Sequence, residues 1–427
     1  MIRFYNANIL SVTDMDINYG EVWVDGDKIV YVGENKESDT KFDTEINLAG
    51  DLLMPSFKNA HAHSAMTFLR SYADGMPLQD WLFTKIFPME EKLNEDIVYQ
   101  YTKLAAAEYF KNGITTAFDM YFYPEGIARA SVETGLRSII CSGISGGAEN
   151  AERTVERLEN DFNTYKDYDP LVSYRLGFHS EYLCDNAVMQ RVAWLAKKYS
   201  APVYMHNSET AREVIECKER HGGMTPTQVF YDLGVLQNGG GGFHCVHMTD
   251  NDLEIMRLTG SYIVTNPCSN AKLSSGIARL TAANSAGVKL AIGTDGASSN
   301  NALDMFREMY LMCVLQKLST GDAAAMPAAV ALKAATYGGA DCMKLPDLLD
   351  IKEGQTADMI VIDMNKPSMQ PIIDVIPNLV FSGSPDVVKL TMANGKIVYR
   401  DGEYTTIDLA KLLYDSNEMA NKLYERS

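Results

Sequence analysis

Short apolar runs alternate with helix-periodic stretches eight times through the middle of this chain, and that alternation restricts its fold more than any other feature. The strand-like runs are 53–63, 114–121, 138–144, 174–179, 202–206, 242–247, 262–266 and 289–295. Between them apolar residues recur at helical spacing. Val188, Val192, Leu195 and Ala196, for example, share one face, with Asp185 placed as an N-cap. Strand–helix units repeated over roughly 240–300 residues predict an α/β fold of the TIM (β/α)8 barrel type with right-handed crossovers. An open doubly wound sheet is the competing architecture. It fits less well because no G-x-G-x-x-G follows the first run, and the glycines at 239–242 precede a strand rather than a helix.

Both ends of the chain have a different texture. Glu21-Val22-Trp23-Val24 alternates, Asp25-Gly26-Asp27 is a turn signal, and Ile29-Val30-Tyr31-Val32 follows. The pattern returns in Met359-Ile360-Val361-Ile362, the run 388–392, the turn Asn394-Gly395-Lys396 and Ile397-Val398-Tyr399. Residues 1–54 and 355–405 are therefore expected to form one small β-sandwich domain, with the barrel at 55–354 and a terminal helix in 406–427.

Composition narrows the function. At 46% hydrophobic and 22% charged residues, the chain matches an ordinary globular protein. No apolar run approaches the ~20 residues that span a bilayer. The opening Met1-Ile2-Arg3-Phe4-Tyr5-Asn6 shows no signal-peptide pattern, so no membrane partner and cytoplasmic residence are expected. A net charge of −18 without a Lys/Arg block argues against nucleic acid as a partner, while leaving a small nucleoside or base open. Seven cysteines form no C-x-x-C pair, which suits buried reduced thiols and not a cysteine-rich zinc site. A homo-oligomer is compatible with all of this.

Histidine placement carries the chemistry. His61 and His63 lie two apart in Asn59-Ala60-His61-Ala62-His63, so on a strand both imidazoles face one side. His179, His206, His244 and Asp295 recur at or near the ends of later runs, and Glu209 follows His206 by three residues. Barrel active sites lie at those C-terminal ends. One histidine in an apolar run is more often a satisfied core residue; the joint placement is what argues for a site. Three imidazoles with one carboxylate suit Zn²⁺, and Fe²⁺ or Mn²⁺ accept the same set. Such an ion lowers the pKa of water toward ~7. Glu209 is the natural proton carrier, and Asp295 could both ligate the metal and take a proton from the attacking water. No P-loop or H-E-x-x-H is present, and the zinc-site signature H-x-E…P-C-x-x-C is missing.

These stretches resemble the amidohydrolase superfamily, and within it the 5′-methylthioadenosine/S-adenosylhomocysteine deaminases, near triazine hydrolases and guanine deaminases. The resemblance rests on the run 55–67 around His61 and His63, Asp80-Trp81-Leu82, and Met205-His206-Asn207-Ser208-Glu209-Thr210. It extends through His244-Cys245-Val246-His247, the run 266–273, and Gly293-Thr294-Asp295-Gly296 with the asparagines and serines that follow. It implies a hydrolase of C–N bonds in cyclic amidines, converting the 6-amino group of an adenosine-type nucleoside to oxygen. It makes His61, His63, His206 and Asp295 the metal ligands. Glu209 becomes the proton shuttle to the purine ring nitrogen, and His244 an off-metal group that holds the attacking hydroxide. The run 173–179 has no lysine to bridge two metals, so one ion per subunit is implied. Glu90, with Glu91 competing one residue away, and His179 match ribose-binding positions, and Trp81 either packs against the substrate or fills core. Arg153 lies near the position of an arginine for the homocysteine carboxylate, with Arg157 competing. A further arginine of some members is Ser142 here, a departure that favours a neutral nucleoside over S-adenosylhomocysteine. The rival activities are deamination or dechlorination of guanine, a pterin or a triazine, and a non-catalytic assembly protein on the same fold.

Overall fold

Every residue of Ile114–Met120, Arg137–Cys141, Val203–Asn207 and Gly240–His244 is buried, the mark of parallel strands covered on both faces. The computed structural model describes residues 1–425. In it these four strands join Phe57–His63, Val172–Tyr174, Tyr262–Thr265 and Lys289–Ile292 in a parallel β/α core. Closure is completed by Asp295–Gly296, which pairs with Ala62 and His63 of the first strand. The last strand thus resumes beside the first, with Asp295 paired to Ala62 and Gly296 to His63.

Several strand limits differ from the sequence reading, for local reasons. The run 53–63 is two strands: Leu52–Pro55 pairs in the sheet of the chain ends, and only Phe57–His63 enters the barrel. The fourth strand breaks at Arg175, resumes as Leu176–Gly177, and leaves His179 in the loop beyond it. Asp185 does not cap its helix with a side-chain bond; its carboxylate accepts from Ala148 N at 2.8 Å instead. The predicted apolar face of that helix, Asn186–Tyr199, is buried as expected. A register shift between Asn59 and Ala62 lets Ala60 join the barrel interior while His61 stacks on Phe243, a residue of the same interior cluster.

The two chain ends form one nine-stranded mixed sheet, ordered from Glu403–Tyr404 at one edge to Lys28–Gly33 at the other. Its own core includes Phe4, Val22, Leu53, Met359 and Leu390. The turn at Asn394 and Gly395 has positive φ at both residues, as a tight hairpin needs. Helix Leu409–Leu423 lies on helix Glu95–Lys111, where Gln100 donates to Leu412 O at 3.3 Å and Tyr101 to Ser416 O at 2.9 Å. Among the described residues no helix is long and apolar enough to cross a membrane.

A buried polar network ties this sheet to the closed end of the barrel. Asp358 accepts from Asn394 N at 2.6 Å and from Thr115 Oγ1 at 2.9 Å, with Arg137 Nε at 3.9 Å. Lys58, fully buried on the first barrel strand, donates to Ser56 O at 3.1 Å, and burial pulls its ammonium down to about 8 against the attraction of Asp358. Removing one member strands the others without water. Asp358→Ala is expected to cost about 3–5 kcal/mol of stability, read as a lowered Tm, while the fraction still folded keeps its kcat.

Candidate metal centre and catalytic cavity

Three histidines reach the mouth of the barrel with one ring nitrogen already engaged. His63 Nδ1 donates to Met120 O at 2.6 Å, His206 Nδ1 to His179 O at 2.8 Å, and His244 Nδ1 to Asn270 Oδ1 at 2.8 Å. Each anchor fixes the ring and leaves Nε2 free for the cavity. His61 has no anchor. It is fully buried, stacked 3.8 Å from the Phe243 ring, and neither ring nitrogen has a hydrogen-bond partner. Burial, reinforced by His63, holds its pKa well below the ordinary histidine value, so the ring is neutral with a lone pair to give.

Asp295 completes the cluster. Its Oδ2 accepts from Ser269 Oγ at 2.6 Å and Ser299 Oγ at 2.7 Å. Its Oδ1 faces His63 Nε2 at 3.3 Å and His61 Nε2 at 3.6 Å. Burial works against its charge, but the hydrogen bond to His63 and the nearby His244 and His61 outweigh it and keep the carboxyl well below its usual range. Two overlapping donor sets result, His61–His63–Asp295 and His61–His206–His244, each with ligand atoms within 4.8 Å of one another. The neutral imidazoles of His61 and His206, the carboxylate of Asp295 and the orphaned nitrogens of His61 together fit a divalent metal ion, which would take the place of the proton that Asp295 favours on His63.

The backbone is strained here. Ser208, His244, Cys245 and Asp295 all have positive φ without being glycine, a conformation that persists only where the surroundings enforce it. For Ser208 the enforcing group is Glu213. Its carboxylate accepts from the backbone N–H of Ser208 at 3.0 Å and Glu209 at 2.7 Å, within a capping box closed by Thr210. The turn so held aims Glu209 into the cavity, with Oε2 3.7 Å from His244 Nε2 and Oε1 accepting from Ser275 Oγ at 3.4 Å. Burial, with Asp295 adding to it, raises the Glu209 pKa, while His244 opposes.

A cavity opens over this cluster, lined by His63, Trp81, Glu90, Tyr121, His179, His206, Glu209, His244 and Asp295 among others. Glu90 is tied by Tyr121, whose hydroxyl donates to Oε1 at 2.8 Å. His179 is kept neutral, its pKa pushed down to about 3 by burial and then by His63 and His244. Trp81 forms a buried wall, and its indole N–H has no partner. Arg153 does not come to the cavity: it is exposed and donates to Asn150 Oδ1 at 3.3 Å. Arg157 lines the adjoining cleft. The remaining histidines have other work, His221 bonding Glu181 at 2.9 Å and His247 bonding Ser275 O at 2.7 Å. The group Glu181, Cys217 and His221 also lies within ligand distance, but Arg220 and His221 already occupy that carboxylate.

The family model for the amidohydrolase family matches residues 52–398. The chain belongs to the amidohydrolase family. A 5-methylthioadenosine/S-adenosylhomocysteine deaminase of Desulfitobacterium hafniense is 36% identical over 419 residues, covering 97% of each chain. One of that name from Caldanaerobacter subterraneus is 36% identical over 424 residues, covering 98% of this chain and 97% of its own. Among solved structures, an adenosine deaminase of Xanthomonas campestris with bound zinc has a TM-score of 0.93 at 28% identity, covering 99% of this chain and 98% of its own. A guanine deaminase from C. acetobutylicum, at 19% identity and a TM-score of 0.83, shares the fold.

Sequence reasoning assigned no role to Asn270, Ser269, Ser299, Tyr121 or Glu213 in this amidohydrolase. The first three lie inside stretches that carry the family resemblance, and Thr210-x-x-Glu213 spells a capping box. Gly293 matters as a close approach: a Cβ there would lie 2.6 Å from His61 O and 2.7 Å from His61 Cβ. Gly293→Ala is therefore expected to displace the least anchored histidine. Divalent-metal affinity should fall at least tenfold, with stability lower by about 1–3 kcal/mol. Metal titration alongside thermal melting would check both.

Proposed function

We propose that this amidohydrolase is a deaminase that replaces the 6-amino group of an adenosine-type nucleoside, such as 5′-methylthioadenosine, S-adenosylhomocysteine or adenosine, with oxygen. The carrying observation is that the His61–His63–Asp295 donor set and the carboxylate of Glu209, 3.7 Å from His244 Nε2, meet at one cavity. The names of the full-length relatives and of the zinc-containing adenosine deaminase support the choice of substrate.

His61, His63, His206 and Asp295 would hold one divalent ion per chain, zinc by the character of the donors, with iron and manganese compatible. When bound, such an ion lowers the pKa of water at the site. The chain's own groups do the rest. His244, its tautomer set by Asn270, orients the attacking water and stabilises charge at the reacting carbon. Glu209, reluctant to ionise when buried, delivers a proton to the ring nitrogen beside C6. Asp295 Oδ1 takes the water proton and passes it to the departing amine. A C–O bond forms, the C–N bond breaks and ammonia leaves, while the proton remaining on the C6 hydroxyl returns to Glu209 as the 6-oxo product forms, with no change of oxidation state.

On the ribose side, the Tyr121 bond to Glu90 Oε1 leaves Oε2 for the sugar hydroxyls. Neutral His179 is placed to share them, and Trp81 supplies a flat wall with a free N–H for the base. Arg157, rather than Arg153, is the arginine available to a tail carboxylate. Seven buried free thiols support residence in a reducing compartment such as the cytoplasm.

Glu209→Gln should lower kcat on adenosine-type nucleosides by about 10³-fold at unchanged metal content. Turnover within tenfold of wild type would remove Glu209 from the proton transfer. Tyr121→Phe should release Glu90 and raise KM for ribosides about 3–10-fold, the value of one hydrogen bond, with kcat nearly constant. Steady-state ammonia release on nucleosides alongside free bases would read this, and an equal effect on both would argue against a ribose role for Glu90.

A further inference from the structure

Helix Met305–Thr320 is apolar on both of its sides. Its inner face, with Phe306, Met309 and Cys313, is buried in the core, as expected of a helix packed on a barrel. The outer face of such a helix is ordinarily charged or polar. Here Leu311, Val314 and Leu315 are half-buried and Leu318 is 76% exposed, in one i, i+3, i+4, i+7 stripe on the solvent side. Tyr310, in ring contact with Phe381, widens the stripe on one flank, and Ile277 borders Leu311 and Leu315 on the other. A contiguous apolar strip of this kind marks a contact with another molecule.

The stripe reads alike from either end. Leu311 and Leu318 lie equally far from the midpoint between Val314 and Leu315, and so do Arg307 and Asp322. Arg307 is exposed in the first turn, and Asp322 is exposed just beyond the Gly321 cap. Among the described residues the Arg307 guanidinium has no hydrogen bond or ion pair, and the Asp322 carboxylate accepts only from Ala324 N at 2.8 Å. Each charge also opposes the dipole of its own helix, a cation at the N-terminus and an anion at the C-terminus.

We propose that this face docks a second copy of the same chain, with the two helices antiparallel across a two-fold axis between Val314 and Leu315. Such an axis sets residue i of one protomer against residue j of its partner, and j against i. Leu311 of one protomer then meets Leu318 of the other, Val314 meets Leu315, and Arg307 meets Asp322 at both ends. A parallel pair would place arginine on arginine and aspartate on aspartate. The antiparallel pair instead carries each charge to the end of the neighbouring helix whose dipole favours it. A helix of 16 residues, about 24 Å long, covers only part of the ~800 Å² per partner that a stable dimer buries. Tyr310, Phe381 and Ile277 supply the rest of the strip's width. Glu308, on the inner face, accepts from Cys268 N at 2.9 Å and Asn300 Nδ2 at 2.6 Å, so pairing would also steady the loops that bear Asn270 and Asp295. Nothing in this contact depends on which substrate the cavity takes.

Sedimentation velocity of the whole chain over a dilution series should show a monomer–dimer equilibrium. Leu318→Glu, at an exposed position, should raise the dimer Kd about 100-fold. Arg307→Glu and Asp322→Lys should each raise it about tenfold by setting like charges together at both ends. An equimolar mixture of these two single variants should recover wild-type affinity, because opposite charges then meet at each end. Arg307→Glu agrees with the dipole of its own helix, so its monomer should melt no lower than that of Leu318→Glu, which separates lost association from lost folding. A wild type that stays monomeric overturns the proposal, as does an unchanged Kd in Leu318→Glu or a mixture that fails to recover affinity. A monomer that binds phosphatidylcholine vesicles through Leu318 would also overturn it, giving the face to a lipid surface.

Discussion

Desolvated imidazoles are what the rest of this structure is arranged around. Five of the seven histidines, His61, His63, His179, His206 and His244, crowd one largely buried site with the carboxylates of Glu209 and Asp295, where protein groups rather than bulk solvent must orient them. The protein substitutes fixed acceptors. Met120 O, His179 O and Asn270 Oδ1 each take one Nδ1–H, which turns three flexible rings into oriented Nε2 donors. Asp295 is treated likewise, with two serines on Oδ2 so that Oδ1 alone faces the imidazoles. His61 is the exception, held by stacking on Phe243 and by the close backbone approach at Gly293. A group held that way is oriented without being saturated, which suits a metal ligand.

The same logic explains where strain collects. Positive φ at Ser208, His244, Cys245 and Asp295 puts the unfavourable backbone at the turns that carry the working side chains. Compensation comes from groups one step out. Glu213 binds the turn before Glu209, and the fully buried Glu308 accepts from Cys268 N at 2.9 Å and Asn300 Nδ2 at 2.6 Å, tying together the loops that bear Asn270 and Asp295. Glu213 and Glu308 are pushed up by burial to about 7 and about 8. Both therefore depend on those donors for whatever charge they keep.

Much of this was legible in the amino-acid order. Parallel strands buried on both faces need continuous apolar runs, so their number and sequence can be read directly. Their ends are read only approximately: His63 closes its strand, but the strand expected at 242–247 is Gly240–His244 and the one expected at 289–295 stops at Ile292. What periodicity cannot carry is a break within a strand. The split at Ser56 and the kink at Arg175 leave the apolar pattern intact while changing which sheet a residue joins or how far His179 sits from the last strand pair. Hydrogen-bond partners such as Asn270 and Tyr121 were hidden for another reason: each meets its partner only after the barrel closes.

The arginine on the helix Ala151–Tyr165 shows the limit in its plainest form. Arg153 and Arg157 are four apart, so a helix places both on nearly the same face and no periodicity argument separates them. They differ by one turn along the axis, roughly 6 Å, and that translation decides which one borders the cleft. The half proposed for catalysis is built on strand ends, whose positions the barrel dictates. The half proposed to hold substrate is lined by the segment with Trp81 and Glu90 and bordered by helix Ala151–Tyr165, whose axial placement depends on loop lengths. Reaction type is therefore inscribed in the sequence more firmly than substrate choice, because the two rest on elements with different freedom to slide.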